Sequence, residues 1–153
     1  MPETLRDRRV RYAHSILMPH YAPAALLGES GDLVGQRVLV LGGDVADTMG
    51  ALMNTECRHA ETCRPGCRTE AGSADLALVP HLTRENADRV ISQAAHALCH
   101  HGRIVIALPE EGHAFISRTA MMLIGAGFNL PILRGEMRQR TLSAVRGGVP
   151  SRT

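Results

Sequence analysis

The sequence contains no lysine and no tryptophan, and its aromatic residues amount to two tyrosines and two phenylalanines among 153 residues. Without lysine, Schiff-base chemistry and general-base catalysis by an amine are excluded. With aromatics at 3% while hydrophobic residues reach 44%, the core must be aliphatic. Recognition of single-stranded nucleic acid by base stacking lacks its platform. No apolar run approaches the ~18 residues that suggest a membrane span. The first residues, MPETLRDRRVRYAH, are charged and lack the apolar region of a secretion signal. A cytoplasmic location is therefore expected, with Cys57, Cys63, Cys67 and Cys99 as reduced thiols. Charge is also nearly absent in net terms: 17 basic residues, all arginine, against 15 acidic ones give +2. That balance points to no polyanionic partner, so neither nucleic acid nor a membrane surface is expected.

What is present suffices for one domain with one core, over residues 1–153, with residues 1–30 as an N-terminal helical extension. Residues 3–17 read as an Arg-rich helix stopped before Pro19, and Ala24 to Leu27 as a short helix closed by Gly28. Turn formers at 28–36 lead into RVLVLGG, a β-branched and Leu-rich run that predicts a buried strand. Val45, Met49, Leu52 and Met53 follow at helical spacing. In the Cys-rich segment 57–74, His59 to Cys63 predict a short strand and Arg64-Pro65-Gly66 a turn. ADLALVP is a second buried strand. The helix after it takes Thr83 as N-cap, Val90, Ile91, Ala94, Ala95 and Leu98 as its apolar stripe, and Gly102 as its C-cap signal. RIVIALP is a third buried strand. A helix over 110–128 places Glu110 and Glu111 at its positive end. The last segment, LPILRGEMRQRTLSAVRGG, predicts an antiparallel hairpin turning around Met137–Arg140.

Strands alternating with helices give an α/β Rossmann-like three-layer sandwich. The expected sheet is mostly parallel, with five or six strands and the C-terminal antiparallel hairpin, and no full strand–helix–strand unit fits between residues 57 and 74. Ligands in such sheets bind beyond the carboxyl ends of the strands, at the switch point. The positions just after Leu41, Val79 and Leu108 thus become the candidates.

Four landmarks stand in order. Residues 35–44, GQRVLVLGGD, resemble the first strand and cofactor loop "G-x-x-V-L-D-x-G-x-G-x-G" of class I S-adenosylmethionine-dependent methyltransferases. SADLALVPHL resembles that family's fourth-strand motif, which an Asp opens. AAHALCHHGRIVIALP resembles the helix end "L-x-P-G-G" and the fifth strand, and AGF with the terminal hairpin resembles the closing elements. The resemblance spans about residues 33–146. It implies S-adenosylmethionine as cofactor, held by Gly42, Gly43 and Asp44, with Glu61 standing in for the acid that binds the ribose, and Pro80 facing the substrate. His81, beside Pro80, is the candidate general base, or else a loop histidine.

The sequence departs from the family in two places. The interval between the first strand and Asp75 is too short for two further strands with their helices, so one strand–helix unit is missing. In the cofactor loop, aligning Gly42 with the first Gly puts Val40 at the usual acid, Asp44 at the second Gly and Ala46 at the third. A glycine there lets backbone approach the ligand. Asp44 would set a carboxylate against the carboxylate of the methionine end, so weak or absent binding is expected. The same Gly42-Gly43-Asp44 loop also reads as a tight turn with Asp44 capping a helix.

Cys57, His59, Cys63 and Cys67 are metal-ligand types, as are His96, Cys99, His100 and His101. The spacing C-x-H-x₃-C-x₃-C lacks paired C-x₂-C knuckles, so no metal is expected. Arg134, Arg138, Arg140 and Arg146 are the charge expected on a protected sheet edge. Two functions remain open: a methyltransferase-like enzyme acting on a small substrate, or a catalytically inactive methyltransferase-like binding or regulatory module. The substrate, the small-molecule or protein partner, and assembly as monomer or homodimer are left undetermined.

Overall fold

The computed structural model describes residues 23–42, 45–64, 67–108, 112–135 and 140–147, with side chains from residue 26 onward and not that of residue 45. The elements are α1 (Pro23–Ser30), β1 (Arg37–Leu41), α2 (Val45–Leu52), β2 (His59–Cys63), β3 (Ala74–Val79), α3 (Ala87–Ala97), β4 (Leu98–Leu108), α4 (His113–Gly125), β5 (Ile132–Arg134) and β6 (Arg140–Val145). They build one six-stranded sheet in the order β2-β1-β3-β4-β6-β5. The first four strands are parallel, and β6 runs antiparallel to both β4 and β5.

Alternation along the strands divides the core in two. Leu39, Leu41, Ala77, Val79, Ile104, Ile106 and Leu108 meet Val90, Ile91 and Ala94 of α3 and Phe115, Ile116 and Leu123 of α4. Val38, Val40, Leu76, Leu78, Val105 and Ala107 face the other way, onto Leu26 of α1, Leu33 and Leu52 of α2. A period-2 strand buried on both faces reads as an unbroken apolar run, as β1, β3 and the end of β4 do. The sheet with helices on both faces is the expected three-layer Rossmann-like sandwich. Right-handed crossovers require α2 on one face and α3 with α4 on the other, because the strand order reverses at β1.

β2 exists as predicted, and among the described residues no helix separates it from β3. Residues 67–73 instead form a strap running back along α3, where the Gly72 amide donates to the His96 carbonyl at 3.2 Å.

Several local expectations need correction. α1 continues through Gly28 to Ser30, whose hydroxyl donates to the Leu26 carbonyl at 2.8 Å, and Gly31 at φ +79° ends it. Met53 is not on the buried stripe of α2 but 83% exposed beyond the helix end. Thr83 does not cap α3 directly. Its Oγ1 accepts from the Asn86 amide at 3.2 Å while Asn86 Oδ1 accepts from the Thr83 amide at 2.8 Å, closing a turn before the helix starts at Ala87. Leu98 is the first residue of β4 rather than part of the α3 stripe.

Gly102 accordingly is no C-cap. It sits in an irregularity between the Ala74–Leu98 and Leu76–Arg103 pairings, where a Cβ would come within 2.9 Å of the Cys99 carbonyl. His101 beside it has φ +64°, where the resembling family has glycine. The helix expected over 3–17, the hairpin turn around Met137, and Glu110 and Glu111 lie outside the described residues.

Candidate functional site

The strand order places β2 on one side of β1 and β3 on the other, so a crevice opens at their carboxyl ends. Gly42 follows β1 with φ +69° and is buried. A Cβ there would stand 3.6 Å from the His81 carbonyl, 3.7 Å from Asn86 Nδ2 and 3.9 Å from Val90 Cγ2. The loop after β1 therefore packs on the loop after β3, and Gly42 meets the need of a left-handed turn. Val40, at the position of the usual acid, is fully buried in the face shared with α1 and α2. Ala46 is exposed in the first turn of α2. Gly43 and Asp44 lie outside the described residues.

Pro80 is buried and His81 exposed at the end of β3. Among the described residues no hydrogen bond or ion pair orients the His81 ring.

On the other side of β1, β2 keeps its expected bounds, His59–Cys63. Leu41 pairs with Cys63, which makes Cys63 the carboxyl end of the strand, and Glu61 pairs with Leu39 one step back on the same face. Glu61 is exposed, with Oε2 3.5 Å from His59 Nε2. The end of β2 carries a disulfide: Cys63 and Cys67 are bonded, with their Cα atoms 6.2 Å apart. This corrects the expectation that all four cysteines are thiols; Cys57 and Cys99 are the free ones. Cys63 faces the core and its partner lies only four residues on, so a short loop brings the sulfurs together. Gln93 of α3 holds that loop, its Nε2 donating to the Arg64 carbonyl at 3.0 Å and the Cys67 carbonyl at 2.7 Å. Sequence reasoning missed Gln93 because a glutamine on an amphipathic helix looks like a solvated face.

The opposite, amino end of the sheet holds a polar network. Arg37 opens β1 and Asp75 follows the first residue of β3. The guanidinium donates to both carboxylate oxygens at 3.1 and 3.0 Å, and the Arg37 amide adds a third bond at 2.8 Å. Hydrogen bonding from Arg37 holds the Asp75 carboxyl at about 2, below its ordinary 3.8, although partial burial pushes the other way. Cys99 Sγ donates to Asp75 at 3.3 Å. Burial, and next the Asp75 carboxylate, push that thiol up, which makes it a poorer nucleophile. Asp75, which opens the strand as in the resembling family, thus ties β1 to β3 away from the crevice.

Among the described residues no group of three or more His, Cys, Asp and Glu side chains is placed to hold a metal ion, and no helix is long and apolar enough to cross a membrane. Of the terminal arginines, Arg146 donates to the Leu98 carbonyl, Arg134 is exposed on β5 and Arg138 lies outside the described residues. The β5 edge is not uniformly charged: Ile132 and Leu133 are 52% and 44% exposed.

No protein-family model matches the sequence, and no curated protein matches it. Solved structures do. A Burkholderia thailandensis 1,6-didemethyltoxoflavin-N1-methyltransferase with bound 1,6-didemethyltoxoflavin and S-adenosylhomocysteine superposes with a TM-score of 0.65 at 15% identity, covering 94% of this chain and 83% of that one. A TehB-like S-adenosylmethionine-dependent methyltransferase from Corynebacterium glutamicum gives 0.64 at 13% identity over 95% and 97% of the two chains. An S-adenosylmethionine-dependent methyltransferase from Aquifex aeolicus gives 0.65 at 10% identity over 82% and 90%. The strand order, the mixed sheet and these superpositions agree: the chain has the Rossmann-like α/β fold that these methyltransferases share.

Proposed function

We propose that this chain is a methyltransferase-like binding module whose crevice no longer supports methyl transfer. The observation that carries this reading is the carboxyl end of β2. There the resemblance expects an acid for the cofactor ribose, and the chain places the Cys63–Cys67 disulfide with Arg64 after it. Glu61 stands a full β-pleat short of that end, exposed, with His59 3.5 Å away. The residues present at the β2 end therefore do not fit S-adenosylmethionine on its ribose side, and the resemblance would set Asp44 in place of the family's second glycine, against the methionine carboxylate. The ligand of the crevice is then a small molecule or a partner segment lacking those two demands.

An active methyltransferase acting on a small substrate is the second reading. It is favoured by the retained switch point and by the left-handed turn at Gly42. Calorimetry with S-adenosylmethionine and S-adenosylhomocysteine, on the native chain and on Asp44→Gly, separates the two. The expected result is native binding weaker than about 1 mM, some −4 kcal/mol. Micromolar binding by the native chain that weakens in Asp44→Gly would overturn the module reading and support the enzyme.

A further inference from the structure

The disulfide after β2, whose position alone entered the first reading above, also has a redox chemistry. Its two cysteines are unequal: Cys63 is 8% exposed and sits in the core, whereas Cys67 is exposed to solvent. Gln93 Nε2 lies within 3.5 Å of Cys63 Sγ and donates to the carbonyls of Arg64 and Cys67, so one side chain of α3 holds both ends of the loop. Among the described residues its buried Oε1 has no hydrogen-bond partner, an expensive state for an amide oxygen.

The site is also built to accept the opened form. The Arg64 carbonyl lies 3.5 Å from Cys63 Sγ, in place to accept from a thiol. We propose that Cys63 and Cys67 are a reversible redox site, opened by thiol–disulfide exchange with a dithiol reductant, whose state governs how firmly residues 67–73 hold to α3.

The exchange has a definite direction. A thiolate of the reductant attacks Cys67 Sγ, the sulfur that solvent reaches; the new S–S bond forms there as the Cys63–Cys67 bond breaks. Cys63 leaves as thiolate and takes a proton from water. The second thiolate of the reductant then attacks its own sulfur in the mixed disulfide, and Cys67 leaves and is protonated in turn. The chain gains two electrons and two protons, and the dithiol ends as a disulfide. An oxidised dithiol drives the reverse. Once opened, Cys67 is no longer closed onto Cys63, and the hydrogen bonds of Cys67 to Gln93 and of Gly72 to His96 must bear the ordering cost without the cross-link.

The test uses the full chain equilibrated with reduced or oxidised dithiothreitol, quenched in acid, alkylated and analysed by mass spectrometry, with hydrogen exchange on the same samples. Two alkylated thiols, Cys57 and Cys99, are expected in the oxidised chain and four in the reduced one, reversibly. Amides of 67–73 should exchange about five- to tenfold faster after reduction, the factor one hydrogen bond of ordinary net strength supplies. Gln93→Leu in the oxidised state should show the same rise. Cys63 and Cys67 remaining thiols under oxidant, a pair that never reduces in excess dithiol, or strap exchange indifferent to redox state would each overturn the proposal. Because reduction needs no substitution, a variant that fails to fold leaves the test intact.

Discussion

The centre of the sheet and its β2 edge are held by different physics. In β3 and in residues 104–108 of β4 nearly every side chain is buried, covered by helices on both faces. In β2 only Cys63 is buried, and the connection onward is a bare strap. The centre is stabilised by non-directional apolar burial distributed over many residues. The edge depends on a few specific bonds, those of Gln93 and the disulfide. A centre of that kind tolerates no cavity, whereas the edge can open without unfolding the rest.

The largest expected effect lies at the centre. Ile106→Ala should cost about 2–5 kcal/mol in denaturant unfolding, while Thr62→Ala on exposed β2 should stay within about 0.5 kcal/mol. Equal losses would break the contrast. Next comes the amino end, where Asp75 titrates at about 2 against an ordinary 3.8. A folded pKa below the unfolded one contributes stability that is complete above the unfolded value and is lost as pH falls through the folded one. The difference in melting temperature between the native chain and Asp75→Asn should therefore be full at pH 5 and close between about pH 4 and 2. A difference independent of pH would show that the pair is not coupled through charge.

A smaller effect of opposite sign is expected at His101, whose left-handed backbone costs roughly 1–2 kcal/mol before the added chain entropy of glycine is subtracted. His101→Gly should stabilise by about 0.5–1 kcal/mol, read from urea midpoints. The smallest belongs to the β2 edge: Glu61→Gln should change stability by less than about 0.5 kcal/mol, as for an exposed pair. It should also leave calorimetry with S-adenosylmethionine unchanged; a tenfold loss of affinity would sharpen Glu61 into a ribose ligand.

Strands β1, β2 and β3 and residues 103–108 of β4 were legible because their residues carry their own burial pattern. RVLVL, ADLALV and RIVIAL can only be strands covered on both faces, and HAETC fits a short edge strand between turns. The carboxyl-end crevice followed from strand–helix alternation. The rest of the site was not legible. Glu61 was taken as the ribose acid from the resemblance alone, and the register sets it two residues before the strand end at Cys63. The thiols were assigned from an expected compartment, and the fold brought two of them together. Gln93 and the Asp75–Arg37 pair depend on partners 26 and 38 residues away in the chain, a separation that no local pattern encodes.

Sequence by itself determined the aliphatic core, the exclusion of lysine chemistry, the alternation of strands with helices and the absence of room for a full strand–helix–strand unit between residues 57 and 74. Each is a matter of which residues exist and how apolar ones recur along the chain, and local periodicity is enough to fix it. Tertiary structure alone decided which polar groups meet. Hydrogen bonds act over about 3 Å, so the disulfide, the Gln93 clamp and the three bonds of Arg37 to Asp75 came into being only when the register of β1 against β2 and β3 was set.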